Sequence, residues 1–418
     1  MTFEHIIIIK IIFSLLSSIF ILGVERCKMS TFFTHKYSLH LTFLFTRIIP
    51  FILIYLVLDL ETRGDLPFFY AKAQQAVQLK MVYRDFLSYH SPFFAYLIAL
   101  PLVCWNHPAS ILLFMIFGEY FTLLITKKFL KKTHNLPQIN YYTHIYLLLP
   151  APFVILLFSG QEDIWLWGIF VAAMYQFKRH NNLYLTGVIL SLMLIAVKIT
   201  SIFIFIPLFF ALQWKDKYKL LLSVGATTCL VFGTLYVFVG DLLWQFINHT
   251  KDPYSPNVLS VSYPFLNSLL KNYTLTQFNW FFLSILVVLL ISLGNYCKHL
   301  PILKTGPYIW IITFGLFTIL LPASMIYYTF IYLISIYFFL IASQNQTKIS
   351  LFLFFNLLII VQPYLFVRLG NTYPINFDFL REPMKVLEYL TEILLIGLVL
   401  YYAKLSFNEI KKMKQSLN

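Results

Sequence analysis

Three polar groups in this chain could do chemistry, and each one interrupts or borders an apolar stretch. The first is Asp65, which follows an apolar run and stands just before Pro67, a residue that suits the first turn of a helix. The second is the turn Gln161-Glu162-Asp163, and the third is Lys198, in the middle of a long apolar run. A carboxylate can take up a proton as a general base. An ammonium inside a membrane needs an anion, either one of these carboxylates or a lipid phosphate.

Each group also has an ordinary structural explanation. Asp65 and Asp163 stand where helix caps are expected, and Lys198 could extend its ammonium to a membrane surface. Two adjacent carboxylates such as Glu162 and Asp163 are costly at a membrane surface unless water or another group engages them. Structural and functional interpretations both stay open from the sequence alone.

The elements that must position these residues are membrane-spanning helices. Of the 418 residues, 60% are hydrophobic and only 11% are charged, and the mean hydropathy is +0.77, whereas soluble domains carry about 25% charged residues. We therefore predict an all-α, polytopic transmembrane bundle of about 12–13 spans, with interfacial helices in the first outer loop, where Pro67 and the apolar positions Phe69, Ala73, Ala76 and Leu79 fit a surface-lying helix. The apolar runs lie near 6–24, 41–60, 93–126, 142–159, 164–177, 184–212, 219–240, 279–296, 307–322, 328–343, 349–366 and 386–403.

The charge distribution predicts the orientation of the bundle. The net charge is +14, but the lysines and arginines lie in short loops between apolar runs, where they set topology and do not indicate nucleic acid. Placing the C-terminus in the cytoplasm puts most of these basic loops inside. Ten of the 17 acidic residues then fall outside: Asp59, Glu61, Asp65, Asp85, Glu162, Asp163, Asp241, Asp252, Asp378 and Glu382.

Several other classes of site are not indicated. The 14 glycines form neither G-x-G-x-x-G nor G-x-x-x-x-G-K-[ST], so no nucleotide-binding domain is predicted. The four cysteines contain no C-x-x-C pair and indicate neither a disulfide framework nor a metal site. We predict no cofactor.

The chain divides into three predicted segments. Residues 1–40 form an additional N-terminal span and a basic loop, and Met29 is an alternative start. Residues 41–240 form a membrane module that carries the three polar groups. Residues 241–418 form a second membrane module, whose outer loops at 241–278 and 367–385 either hold an acceptor or simply connect helices.

Read in order, residues 41–213 resemble the GT-C fold glycosyltransferases that use polyprenyl-phosphate sugars. The resemblance is to the bacterial mannosyltransferase-like families and to the glycosylphosphatidylinositol mannosyltransferases. It is carried by Asp65 with Tyr70 after an early span, by Tyr83-Arg84-Asp85-Phe86 followed by Pro92, by Gly160-Gln161-Glu162-Asp163, and by a span from Gly187 to Lys198. Two features depart from the family pattern: Arg63 stands where many relatives have an earlier acid, and the stretch 322–328 has no histidine.

The resemblance implies the fold, the activity and the roles of the residues. It implies a GT-C-like catalytic module that transfers a mannose-like hexose from a polyprenyl-phosphate donor to a glycan or glycolipid acceptor of the cell envelope. Asp65 would be the base, Arg84 and Lys198 would contact the phosphate, and the remaining candidates for substrate contacts are Tyr70, Asp85, Gln161, Glu162, Asp163 and Arg381. The expected location is the bacterial cytoplasmic membrane, with the active site on the extracytoplasmic face.

The residue types fit such a reaction on chemical grounds. Inverting transfer needs one carboxylate to take the proton of the acceptor hydroxyl, and it needs positive charge near the leaving phosphate. A flippase or another transporter of lipid-linked sugars is the main alternative, although charged groups would then be distributed through several spans. A polymerase that joins lipid-linked glycans is a second alternative.

Overall fold

The computed structural model is helical throughout the part of the chain that it describes. That part comprises residues 3–26, 38–133, 139–251, 254–270, 274–342, 346–370, 373–374 and 376–416; the alternative start at Met29 and the acid Asp252 lie outside it. No β-strand occurs in these ranges, apart from an isolated bridge between Val82 and Phe86. The predicted all-α class is confirmed.

Seventeen helices make up the described fold, numbered here in chain order. Two 3-10 turns, Gly240–Lys251 and Phe377–Arg381, accompany them. The helices are α1 (Phe3–Arg26), α2 (Ser38–Val57), α3 (Leu66–Val77), α4 (Phe94–Val103), α5 (Pro108–Thr133), α6 (Ile139–Leu148), α7 (Pro150–Ser159), α8 (Ile164–His180), α9 (Leu183–Ala196), α10 (Ile199–Ala211), α11 (Trp214–Val239), α12 (Val258–Leu270), α13 (Leu275–Tyr296), α14 (Ile302–Leu320), α15 (Ile326–Ile341), α16 (Gln346–Arg368) and α17 (Pro383–Gln415).

The chain is a multi-pass membrane protein. Among the described residues, eight helices are long and apolar enough to cross a bilayer: α1, α2, α5, α11, α13, α14, α16 and α17. The pair α6 and α7, bent by 50°, gives a ninth span if it is counted as one. These eight or nine spans are fewer than the 12–13 predicted, because the run 184–212 forms the shorter apolar helices α9 and α10 and the run 328–343 forms the shorter helix α15.

Two consecutive helices, α8 and α9, are shorter than the hydrocarbon core of a bilayer is thick, and this shortness positions the site. Helix α8 has 17 residues and α9 has 14, which corresponds to about 26 Å and about 21 Å at 1.5 Å per residue. A hydrocarbon core is about 30 Å thick. Helix α8 ends in the basic sequence Lys178-Arg179-His180, so this end marks one membrane surface. The opposite ends of α8 and α9 therefore stop below the other surface.

The basic ends of several helices lie together, at what we call the basic end of the bundle. The Lys132 ammonium at the end of α5 lies 5.1 Å from the centre of the Tyr175 ring on α8. Lys217, at the start of α11, lies 5.2 Å from the ring of Phe210 at the end of α10. The charged turn before α8 and the break before α10 are consequently at the other end of these helices, which we call the far end.

A buried ion pair ties α2 to α5 inside the bundle. The side chains of Arg47 and Glu119 are fully buried, and their guanidinium and carboxylate groups pair through two hydrogen bonds of 2.7 and 3.0 Å. Arg47 also donates to the carbonyl oxygen of Leu147 at 2.9 Å. Every partner of this cation is thus supplied by the protein, and the pair serves the fold.

Candidate functional site

Two glycines interlock the segment 58–93, which contains α3 and which we call the first long loop, with the turn between α7 and α8. Gly64 has φ +67°, and a Cβ at this position would lie 2.6 Å from the carbonyl oxygen of Ser159. Gly160 has φ +61°, and a Cβ there would lie 2.3 Å from Cγ of Leu66. Positive φ and lack of space both require glycine at these positions. The backbone of Asp65 also donates a hydrogen bond to the carbonyl of Ser159 at 3.4 Å.

Asp65 stands at the start of α3, but its carboxylate does not cap that helix. The side chain is half-buried and accepts a hydrogen bond of 2.8 Å from Nε2 of Gln161. The interlocked glycines explain this contact, since they bring the two loops together at the required distance. Asp65 therefore joins the turn that the sequence singled out independently.

Glu162 and Asp163 are fully buried and share one lysine. Nζ of Lys198, at the break between α9 and α10, lies 3.0 Å from Oε1 of Glu162 and 2.5 Å from Oδ1 of Asp163. Asp163 is the residue before α8, yet its carboxylate makes no capping hydrogen bond. The carboxylates of both helix-start residues, Asp65 and Asp163, thus point to side chains of the cluster.

The two buried carboxylates have opposite pKa shifts. Burial disfavours the charged form of Glu162, but Lys198 and His90 outweigh it and hold the pKa of this carboxyl at about 2. Burial, together with the neighbouring Glu162 and Asp65, raises the pKa of Asp163 to about 7 against the attraction of Lys198. Of the two carboxyl groups, Glu162 is thus the one that the site holds in its charged form more strongly.

His90 and Lys72 complete the polar cluster on the side of the first long loop. Nε2 of His90 lies 3.6 Å from Oε1 of Glu162, and Nδ1 of His90 lies 3.4 Å from Nζ of Lys72. The imidazole stacks on the Phe94 ring at 4.4 Å between centroids. Burial lowers the pKa of His90, which favours the neutral ring. A neutral imidazole can hydrogen-bond Glu162 without competing with Lys198 for its charge.

Two tyrosines cover the Lys198 ammonium. The ring centres of Tyr328 and Tyr327 lie 4.6 and 5.9 Å from Nζ, within the range of cation–π attraction. Both belong to the segment 322–328, near which the glycosyltransferases that the sequence resembles often have a histidine. In this chain the segment contributes aromatic faces to the site.

The cluster presents hydrogen-bond acceptors that lack donors. Oε1 of Gln161, Oε2 of Glu162 and Oδ2 of Asp163 are buried and have no hydrogen-bond partner among the described residues. Buried polar atoms are normally paired, and unpaired ones require an explanation. Three unpaired acceptors on consecutive residues suit a ligand that offers several O–H or N–H donors.

The structure brings five of the nine predicted site residues together: Asp65, Gln161, Glu162, Asp163 and Lys198. The other four lie elsewhere. Arg84 and Asp85 form an exposed ion pair of 2.8 Å with each other, the hydroxyl of Tyr70 donates to Oδ1 of Asn106 at 3.1 Å, and Arg381 is exposed in the turn before α17.

Sequence reasoning gave no role to Lys72, Tyr327 and Tyr328. It offered His90 only as a possible substitute for the histidine that the stretch 322–328 lacks, with no motif to support that position. One local signal was available for Lys72. Lys72 lies on α3 beside the buried face that Phe69 and Ala76 form, and it is half-buried itself. A lysine at the edge of a buried helix face is a candidate for contact with a charged group. His90 reaches the cluster through the fold of the loop, which no sequence pattern encodes.

We expect Gly64→Ala to separate the two loops and to abolish any activity that depends on the cluster. The new Cβ would meet backbone atoms of Ser159, which cannot rotate away as a side chain can. Crosslinking between cysteines introduced at Asp65 and Gln161 would measure the separation. Gly233→Ala on α11, where a Cβ meets no atom within 4 Å, is the matched control and should crosslink like the parent pair. Unchanged crosslinking in Gly64→Ala would contradict the interlock.

No protein-family model matches the chain, and no curated protein matches it. The function therefore has to be inferred from the cluster itself.

Proposed function

We propose that this protein is a membrane glycosyltransferase that moves a mannose-like hexose from a polyprenyl-phosphate donor to a glycan or glycolipid acceptor. One observation carries the proposal: the half-buried carboxylate of Asp65 lies beside a buried cluster of unpaired acceptors, at the far ends of helices too short to cross the bilayer. A lipid-linked substrate could bring its reactive sugar to such a recess while its chain remains in the membrane.

Asp65 has the position expected of a general base. It is the only carboxylate of the cluster that is half-buried, whereas Glu162 and Asp163 are fully buried and bound to Lys198. In the proposed step the acceptor hydroxyl gives its proton to Asp65 while its oxygen attacks C1 of the sugar. The bond between C1 and the phosphate oxygen breaks with inversion, and the polyprenyl phosphate leaves as an anion.

The turn 161–163 would hold the sugar. Sugar hydroxyls are donors, and the unpaired oxygens of Gln161, Glu162 and Asp163 are acceptors. Lys198 keeps the two carboxylates in place and compensates their charge. In this arrangement Lys198 orients the sugar-binding residues.

The leaving phosphate needs a cation that is not already bound to a carboxylate. Lys198 has two carboxylate partners and Arg84 is paired with Asp85, whereas Lys72 contacts the imidazole of His90 and the face of Tyr89. Lys72 is also close enough to Asp65 and Glu162 to feel their charge. We therefore assign the phosphate contact to Lys72.

The charge distribution supports the proposed location. Basic loops face the cytoplasm in most bacterial membrane proteins, and on this basis we assign the far end and its cluster to the extracytoplasmic face. Polyprenyl-phosphate sugars presented on that face would reach the recess from the lipid. A bacterial cytoplasmic membrane is the proposed setting.

The test uses membranes that contain the full-length protein and polyprenyl-phosphate mannose labelled in the sugar, with the glucose analogue in parallel. We expect label to move from the donor to a second lipid or glycan. Lys72→Met should lower the rate by about 10²-fold or more through loss of charge stabilisation of the phosphate, whereas Lys80→Met, an exposed lysine of the same loop that is bonded to Gln75, should not. If the label stays on the donor and the donor only crosses the bilayer, the protein is a flippase and not a transferase.

A further inference from the structure

A second buried polar cluster lies in the far half of the bundle, separate from the first. Glu388 and Glu392 are one turn apart on the same face of α17, and they are only 4% and 1% exposed. Glu388 is five residues from the helix start at Pro383, which is about 8 Å along the axis. The mechanism proposed above uses neither residue.

Neutral oxygen groups surround the two carboxylates. The hydroxyl of Ser260 donates to Oε2 of Glu392 at 2.5 Å, and the hydroxyl of Ser255 donates to Oε1 of Glu388 at 3.3 Å. Asn257, just before α12, fixes this serine pair, because its Oδ1 accepts from the backbone of Ser260 at 2.9 Å. All the side chains that contact the carboxylates are uncharged.

Gln362 on α16 points its amide into the same cluster. Its Nε2 donates to the Ser255 hydroxyl at 2.7 Å and lies 3.4 Å from Oε1 of Glu388. The Oε1 atom of the same amide is buried, has no hydrogen-bond partner among the described residues, and belongs to a side chain that is 1% exposed. A buried acceptor without a donor indicates a missing partner, and this one belongs to the amide whose Nε2 contacts Glu388.

No protein cation supplies that partner within the described ranges. No lysine, arginine or histidine there forms an ion pair with Glu388 or Glu392. Two carboxylates this close in a buried site must share a proton or bind a cation. Two acidic groups carry the charge that one divalent ion would neutralise.

We propose that Glu388, Glu392, Ser255, Ser260 and Gln362 bind one hard divalent cation, of the Ca²⁺ or Mg²⁺ type. The donors are all oxygens, which such cations prefer. With only two acidic donors, the set differs from a site of three or more Asp, Glu, His or Cys ligands, which the described residues do not contain. The neutral oxygens therefore have to supply the rest of the coordination.

A cation at this position would link three elements of the bundle. Ser255 and Ser260 belong to the segment before and at the start of α12, Gln362 to α16, and the two glutamates to α17, so a single ion would join three elements. The carbonyl of Pro322 accepts a hydrogen bond of 3.0 Å from the backbone of Tyr254, next to Ser255. The chain continues from Pro322 to Tyr327 and Tyr328, which cover Lys198 in the first cluster.

The test measures binding directly on the purified full-length protein in detergent. Equilibrium dialysis at pH 7.5 with CaCl₂ and, separately, MgCl₂ should give one bound cation per chain and a Tm several degrees above that in EDTA. Glu392→Gln should weaken binding at least about 10-fold, since ligand charge sets affinity, and should lose the Tm shift. Glu409→Gln is the matched control and should bind like the wild type, because Glu409 is a half-buried glutamate of the same helix that pairs with the exposed Lys412.

Two outcomes would overturn the proposal. If the wild type binds neither Ca²⁺ nor Mg²⁺, the carboxyl pair shares a proton only. If Glu392→Gln binds as tightly as the wild type, the cation lies elsewhere. Ser260→Ala keeps both carboxylates and removes one neutral donor, so it gives a weaker-binding variant even if Glu392→Gln fails to fold.

Discussion

Replacing Asp65 by asparagine should abolish sugar transfer while leaving the amount of folded protein unchanged. Asparagine has the shape of aspartate, and its carbonyl oxygen can still accept the 2.8 Å hydrogen bond from Nε2 of Gln161. It cannot take a proton from an acceptor hydroxyl. Loss of a general base typically costs about 10²–10⁴-fold in rate. The rate of label transfer from polyprenyl-phosphate mannose, normalised to protein in the membrane, measures the effect.

A matched pair of variants separates loss of the base from loss of charge in the loop. Glu61→Gln neutralises an exposed carboxylate four residues before Asp65 and should leave transfer at the level of the wild type. Asp65→Glu keeps the carboxylate but lengthens the side chain, and it should retain a small part of the rate. Full activity in Asp65→Asn would exclude Asp65 as the base, and equal losses in Asp65→Asn and Glu61→Gln would indicate a general effect of charge.

The predicted site residues that lie together in the structure share one property: each interrupts or borders an apolar stretch. Close packing of the apolar helices brings Asp65, the turn 161–163 and Lys198 into contact with one another, and Glu162 also lies beside His90. The all-α class follows from the same apolar runs. These features follow from the free-energy cost of burying charged groups. Because of that cost, the composition of the chain and the spacing of its polar residues are enough to predict them.

Other features depend on tertiary geometry that spacing does not encode. Arg84 and Asp85 are adjacent in sequence and satisfy each other, so neither is drawn to the cluster. No sequence pattern selects Glu388 and Glu392. The serines that contact them lie more than 100 residues away along the chain, and Gln362 lies 26 residues from Glu388. The number of complete crossings also depends on where helices break. The sequence predicts the break near Lys198, because a lysine interrupts the run 184–212, which is too long for one span, and the helices do break there. An apolar run alone does not show whether each resulting helix is long enough to cross the bilayer.

Replacing Lys198 by methionine should destabilise the protein more than any other single change in the cluster. Methionine retains the length of the side chain but leaves Glu162 and Asp163, both fully buried, without their shared cation. Removing one partner of a buried ion pair typically costs about 3–5 kcal/mol in the free energy of unfolding. Thermal unfolding of the detergent-purified protein measures the loss as a decrease in Tm. Lys219→Met, in which the lost lysine is exposed and pairs with Asp216, should change Tm little.

A second substitution and the pH dependence test whether uncompensated charge is the cause. Adding Asp163→Asn to Lys198→Met removes one of the two unpaired carboxylates and should restore part of the lost Tm. In the single Lys198→Met variant we expect the pKa values of Glu162 and Asp163 to be higher in the folded than in the unfolded state. The folded state then binds more protons, so its stability should fall as pH rises from the unfolded to the folded pKa. The same sign applies to Asp163 in the wild type, where its pKa of about 7 exceeds the ordinary 3.8. A Tm loss that is independent of pH and unaffected by Asp163→Asn would mean that Lys198 stabilises the fold by packing, for example against the rings of Tyr327 and Tyr328, and not by its charge.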